Sequence, residues 1–106
     1  MRRGEIERAL RRFGAPVQVE HRGALTESWA FLQQLETEKK EEPFSVGLLG
    51  AADGRRWRYL GAGCAPVAMG DRVYWGGRRF VARQAAGVYL GGTLLYYRAI
   101  LQEEEA

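Results

Sequence analysis

Residues 72–85 read RVYWGGRRFVARQA. Two runs of β-forming residues flank the pair Gly76 and Gly77. A two-residue hairpin turn needs positive φ, which glycine supplies without steric cost. The stretch therefore predicts an antiparallel hairpin. Outward from it, glycine continues to mark the turns. The chain has fourteen glycines and no asparagine, so positions with φ > 0 fall mostly to glycine. Gly70 and Asp71 form a tight turn before the hairpin, with Val67 and Met69 leading in. Gly91 and Gly92 form another after it, and residues 93–101, TLLYYRAIL, read as a last strand.

The preceding segments share this period-2 grammar. In residues 55–60, RRWRYL, Arg56 and Arg58 alternate with Trp57 and Tyr59, which predicts one wet face and one dry face. A glycine-rich connection follows over residues 61–66. Residues 44–49 read as a short apolar strand and 50–54, GAADG, as a turn. Residues 36–42, ETEKKEE, form a solvated charged loop. Val17, Val19 and His21 alternate with Gln18, Glu20 and Arg22, a half-buried strand ending in a turn at 22–24. Residues 25–36 are ambiguous. Leu25, Trp29, Leu32 and Leu35 fit a helix with Thr26 as its cap, while Leu25, Trp29, Phe31 and Leu35 fit one face of a strand. Only residues 4–13 are clearly helical. Ile6, Ala9, Leu10 and Phe13 fall on one face, and Glu7 and Arg11 stand four apart. Gly14 and Pro16 end the helix.

One short helix followed by six or seven short strands predicts an all-β fold, a small antiparallel β-barrel. Closure removes the exposed edges that endanger so small a sheet. The whole chain of 106 residues reads as one domain: helix about 4–13, barrel about 15–101, acidic tail 102–106.

Composition narrows the function classes. No run approaches the roughly 20 apolar residues of a spanning helix, and the MRRGEIERAL start lacks the apolar region of a secretory signal. The expected location is the cytosol. One cysteine, Cys64, excludes an internal disulfide, and one histidine, His21, excludes a site needing two. Residues 54–102 carry eight arginines against the single carboxylate of Asp71, and Glu103, Glu104 and Glu105 follow. Such a basic segment suits an anionic surface, or simply a solvated sheet face.

Catalytic signatures are missing from the sequence. Nothing brings Cys64 and His21 together as a nucleophile and base. Cys64 reads as a small buried or half-buried residue, His21 as a satisfied strand histidine, and Asp71 as a turn residue bonded to backbone. No glycine run is followed by a P-loop lysine. No enzyme activity, cofactor or metal is expected. The constellation with chemical content is arginine interleaved with aromatics. Arg55, Arg56, Arg58, Arg72, Arg78 and Arg79 could contact phosphates beside Trp57, Tyr59, Tyr74 and Trp75. Alternation favours the aromatics of residues 57–59 lying in the core.

The order of features resembles a family. Ala30 to Gln33 (AFLQ) is followed by Arg58-Tyr59-Leu60-Gly61. Gly70-Asp71-Arg72-Val73 then runs into Gly77-Arg78-Arg79-Phe80-Val81, and Tyr96-Tyr97-Arg98-Ala99-Ile100-Leu101 closes the chain. Over about residues 15–101 this is similar to the head–tail joining, or head-closure, proteins of phage and prophage necks. The resemblance implies a small β-barrel with extended loops that is not an enzyme. It implies assembly as a homo-oligomeric ring beneath the portal and adaptor, contact with tail-completion proteins, and retention of packaged DNA. It implies the bacterial cytoplasm during assembly and the virion afterwards, with no membrane. It also tips residues 25–36 toward strand. Expected partner contacts are the loop residues Glu38, Lys39, Lys40, Glu41 and Glu42 and the turn from Gly50 to Arg55. The alternative from a different class is a cytosolic nucleic-acid-binding barrel using the six arginines named above.

Overall fold

The computed structural model describes residues 2–35 and 55–104. One helix, α1 (Arg3–Phe13), precedes six strands: β1 (Ala15–His21), β2 (Ala24–Gln34), β3 (Arg56–Ala62), β4 (Arg72–Trp75), β5 (Arg78–Leu90) and β6 (Thr93–Glu104). All pairings are antiparallel, and the strands close in the order β1-β2-β3-β6-β5-β4. The all-β barrel with a short N-terminal helix expected from the sequence is thus the fold. The expected loop at 36–42, strand at 44–49 and turn at 50–54 lie outside the described residues.

Three hairpins organise the barrel, each with a two-residue loop. In the β4–β5 and β5–β6 hairpins the first central residue, Gly76 or Gly91, takes a φ of 59° or 60°. In β1–β2 both central residues are left-handed, Arg22 at 54° and Gly23 at 80°. Arg22 is the exception to the rule that glycine takes these positions, a mildly strained choice for a side chain with a Cβ.

Alternation fills the barrel. Val17 and Val19 of β1, Trp57 and Tyr59 of β3, Val73 of β4, Phe80 and Ala82 of β5, and Ala99 and Leu101 of β6 form its core. The aromatics of β3 therefore point inward and Arg56 and Arg58 outward, as the alternation predicts.

β2 corrects one expectation. It is a strand, but its buried face carries Ser28 and Ala30, with Leu32 packed against the core. Leu25 and Phe31, expected to share one strand face, are both exposed. The cause is register. Ala15 pairs with Ala30 and Val17 with Ser28, so the face of β1 holding Val17 dictates which face of β2 turns inward. Small residues suit that position because Tyr59 and Phe80 already occupy the interior.

Helix α1 packs against β1, β2, β3 and β6 and buries Leu10. At its start the Glu5 carboxylate accepts the Arg2 N–H at 3.1 Å, half of a capping box. Its ion pair joins Arg3 to Glu7 at 3.1 Å, rather than Glu7 to Arg11. Gly14 ends it in extended backbone, not in a left-handed cap. Glycine is needed there for space: a Cβ would come within 2.6 Å of the Leu10 carbonyl oxygen and 2.7 Å of that of Ala30.

Candidate nucleic-acid and partner interface

The arginine–aromatic constellation divides into two parts. The first lies where β6 ends. β6 runs to Glu104, three residues past the expected boundary at 101, so Glu103 and Glu104 belong to the barrel and not to a tail. Register places Glu104 opposite Arg79 and Glu103 opposite Phe80. Glu104 accepts from Arg72 Nε at 3.1 Å and pairs with Arg79 Nε at 3.4 Å. That hydrogen bond and the carboxylate's charge raise the Arg72 pKa. Glu103 accepts from Trp57 Nε1 at 3.2 Å and lies 3.9 Å from Arg78 Nε. The Arg78 guanidinium sits over Trp57 and Trp75, 5.2 and 5.5 Å from their ring centroids. Trp57 also meets Trp75 and Phe80 edge to face, each at 5.7 Å. Arg72, Arg78 and Arg79 are therefore held by this protein's own carboxylates and indoles. Three of the arginines expected to meet phosphate thus share two carboxylates, which offsets most but not all of their charge.

The second part is the outer face of β3, β6 and β5. Arg56, Arg58 and Arg98 are exposed there. None of them is in an ion pair among the described residues. Arg98 stands opposite Leu60 on β3 and Ala86 on β5, and Ile100 opposite Arg58 and Gln84. A groove of about 440 Å³ runs between them, lined by Arg58, Leu60, Gln84, Tyr96, Arg98 and Ile100 with neighbouring alanines. Its lining contains two cations and no carboxylate. That suits an extended anion whose apolar parts can lie on Leu60, Tyr96 and Ile100.

Arg98 was not among the expected contact residues. The signal for it was present: in the last strand Tyr96, Arg98 and Ile100 fall on one face by alternation. Arg55 precedes β3, and its backbone carbonyl accepts the Glu103 N–H at 2.8 Å. Glu38, Lys39, Lys40, Glu41 and Glu42, and the turn from Gly50 to Gly54, lie outside the described residues.

His21 and Asp71 are brought together at the start of β4. His21 Nδ1 lies 2.5 Å from Asp71 Oδ2, and the same oxygen accepts the Ala68 N–H at 2.8 Å. Asp71 thus bonds backbone as expected, and His21 is satisfied as expected. The carboxylate ties the end of β1 to the turn before β4. Tyr74 of β4 donates its hydroxyl to Glu20 of β1 at 2.7 Å, which raises the Tyr74 pKa. These bonds latch the shortest seam of the barrel, where β1 and β4 pair over only Gln18, Val19 and Glu20.

Cys64 is exposed, not buried or half-buried. It sits in the turn after β3, where the chain leaves the sheet. Among the described residues no cluster of three His, Cys, Asp or Glu side chains is placed to hold a metal ion, and no helix is long and apolar enough to cross a membrane. Comparison of the chain with protein-family models, curated proteins and solved structures returns no match.

Proposed function

We propose that this chain is a non-enzymatic structural protein of a phage or prophage particle, a component of the head–tail connector ring. The observation that carries the reading is the order of features that resembles the head-closure family, realised on a closed antiparallel barrel. The Gly70-Asp71-Arg72-Val73 segment opens the β4–β5 hairpin, and the Tyr96–Leu101 segment lies within the strand that joins β3 to β5. In this role the chain works through protein contacts with portal, adaptor and tail-completion proteins. The exposed arginines of the outer face, which have no ion pair among the described residues, are the surface offered to packaged DNA or an acidic neighbour. The experiment is mass spectrometry of particles. Cells carrying the gene are induced with a DNA-damaging agent and the particles are purified. Peptides of this chain at roughly the copy number of a symmetric ring support the reading. Complete particles that lack them refute it.

One observation favours a second reading, a nucleic-acid-binding barrel: the outer face with Arg56, Arg58 and Arg98 and no carboxylate in its groove. That reading requires measurable affinity of the purified chain for single-stranded DNA. Log affinity should fall with log salt at a slope of about −0.7 per phosphate neutralised. Affinity weaker than ~10⁻⁴ M at low salt, the range of ordinary non-specific binding, would sink it.

A further inference from the structure

The barrel closes through its shortest strand, and among the described residues this leaves much of β5 without a partner on one side. β4 covers β5 only from Arg78 to Val81, and the turn before β4 extends the cover to Ala82 through bonds with Gly70 and Asp71. β5 then continues to Leu90, paired with β6 on one side. Among the described residues no strand pairs with its other side from Gln84 to Leu90. The molecule is accordingly elongated, 45 Å along its longest axis against 28 and 24 Å.

Exposed strand edges are normally blunted with charge or proline, since they template pairing with another chain. This one is not. Residues 84–90 read QAAGVYL, without charge or proline. Tyr89 and Leu90 are about 60% exposed at its end. Other partly open stretches include the start of β1, which carries Pro16, and the first half of β2, which carries Glu27.

We propose that the free edge of β5 pairs antiparallel with the same edge of a second copy. A two-fold axis normal to the sheet keeps inward and outward faces matched, so it passes through a residue position. Centring it on Gly87 uses the whole open segment. Every large side chain then faces a small or slender one: Tyr89 meets the partner's Ala85, Val88 the partner's Ala86, and Leu90 the partner's Gln84. Gly87 meets its own counterpart. The charged residue that begins the segment, Arg83, falls opposite the partner's Gly91, so the two Arg83 side chains lie at opposite ends of the interface. The segment is thus complementary to itself in size and charge, which identifies the occupant as a second copy. This pairing is a property of the purified chain and stands or falls separately from the connector reading.

Sedimentation of the full chain over a range of concentrations tests it, with Cys64→Ser as background for cysteine variants. A reversible dimer is expected. Ala86→Glu should weaken it by about tenfold or more by placing two carboxylates beside the axis. The same change leaves the fold intact, because Ala86 is exposed and stands opposite Arg98 within its own sheet. Cross-linking then fixes the register. Directly opposed residues come within disulfide range, whereas diagonal neighbours, at about 7–8 Å, do not. Mixing Ala86→Cys with Val88→Cys should give a disulfide-linked heterodimer, and neither variant alone should cross-link. A chain that stays monomeric at every concentration overturns the proposal. So does a dimer that is insensitive to Ala86→Glu and fails to cross-link in the mixture.

Discussion

Tyr59 is wholly buried, and its hydroxyl meets no hydrogen-bond partner among the described residues. The ring lies along its own strand over Gly61, where any Cβ would collide with it. Burial, with a smaller contribution from Cys64, pushes the phenol well above its ordinary value near 10. Two predictions follow from this one side chain. Tyr59→Phe should leave the fold intact and raise its stability by about 1 kcal/mol, since an unpartnered buried hydroxyl costs roughly 1–3 kcal/mol. Chemical denaturation measures it, and a clear loss of stability would point to a partner for the hydroxyl. The second prediction concerns pH. The folded pKa lies above the unfolded one, so the stabilising contribution is complete below pH about 10 and is lost as pH rises beyond it. Ultraviolet titration should show Tyr59 ionising only together with unfolding, and Tyr59→Phe should unfold at higher pH than the parent. Asp71 gives a third test. Asp71→Ala removes the acceptor of both His21 and the Ala68 N–H and should cost about 1–3 kcal/mol. A cost near zero would mean that the latch between β1 and β4 is redundant.

At the scale of elements, α1 and the end of β6 each make a separable contribution. Leu10 is 2% exposed and anchors the helix on four strands. Leu10→Ala should cost about 2–5 kcal/mol in denaturation. A much smaller value would show that the helix is not part of the cooperative unit. Glu104→Gln should act differently. Arg72 and Arg79 are nearly half exposed, so their pairs with Glu104 contribute little to stability, on the order of 0–1 kcal/mol. The substitution should instead free cationic surface and increase affinity for DNA at low salt. Unchanged affinity would confine any anion binding to the outer face of β3 and β6.

Elements also show what the sequence makes legible. Helix α1 and the hairpin loops at Gly76 and Gly91 could be read because each rests on local chemistry: apolar spacing in one case, positive φ in the others. The inward turn of Trp57 and Tyr59 followed from alternation alone. β2 was harder, because its inward face is Ser28 and Ala30, a choice made by pairing with β1 across the sheet and not by its own apolar residues. Gly14 and Gly61 look like turn glycines in sequence, yet both are there because other atoms occupy the space of a Cβ. The candidate site was half legible. Arg56 and Arg58 were identified, while the capture of Arg72, Arg78 and Arg79 by Glu103 and Glu104 depends on the end of β6 meeting the first residues of β4 and β5.

Over the whole molecule, the net charge of +3 is unevenly displayed. At one end of the barrel the carboxylates of β6 pair with arginines, and on the outer face of β3 and β6 the arginines have no ion pair among the described residues. A barrel of this kind is a rigid block that offers surfaces: an arginine groove, an open strand edge and a latched seam. That arrangement fits a part that is held by neighbours in an assembly. The most direct measurement is the phenotype of particles made without the gene. In its absence the connector account predicts that induced cells accumulate separate heads and tails, with heads that lose their DNA, and that supplying the wild-type chain restores complete particles. Normal, tailed, infectious particles produced without this chain would contradict it.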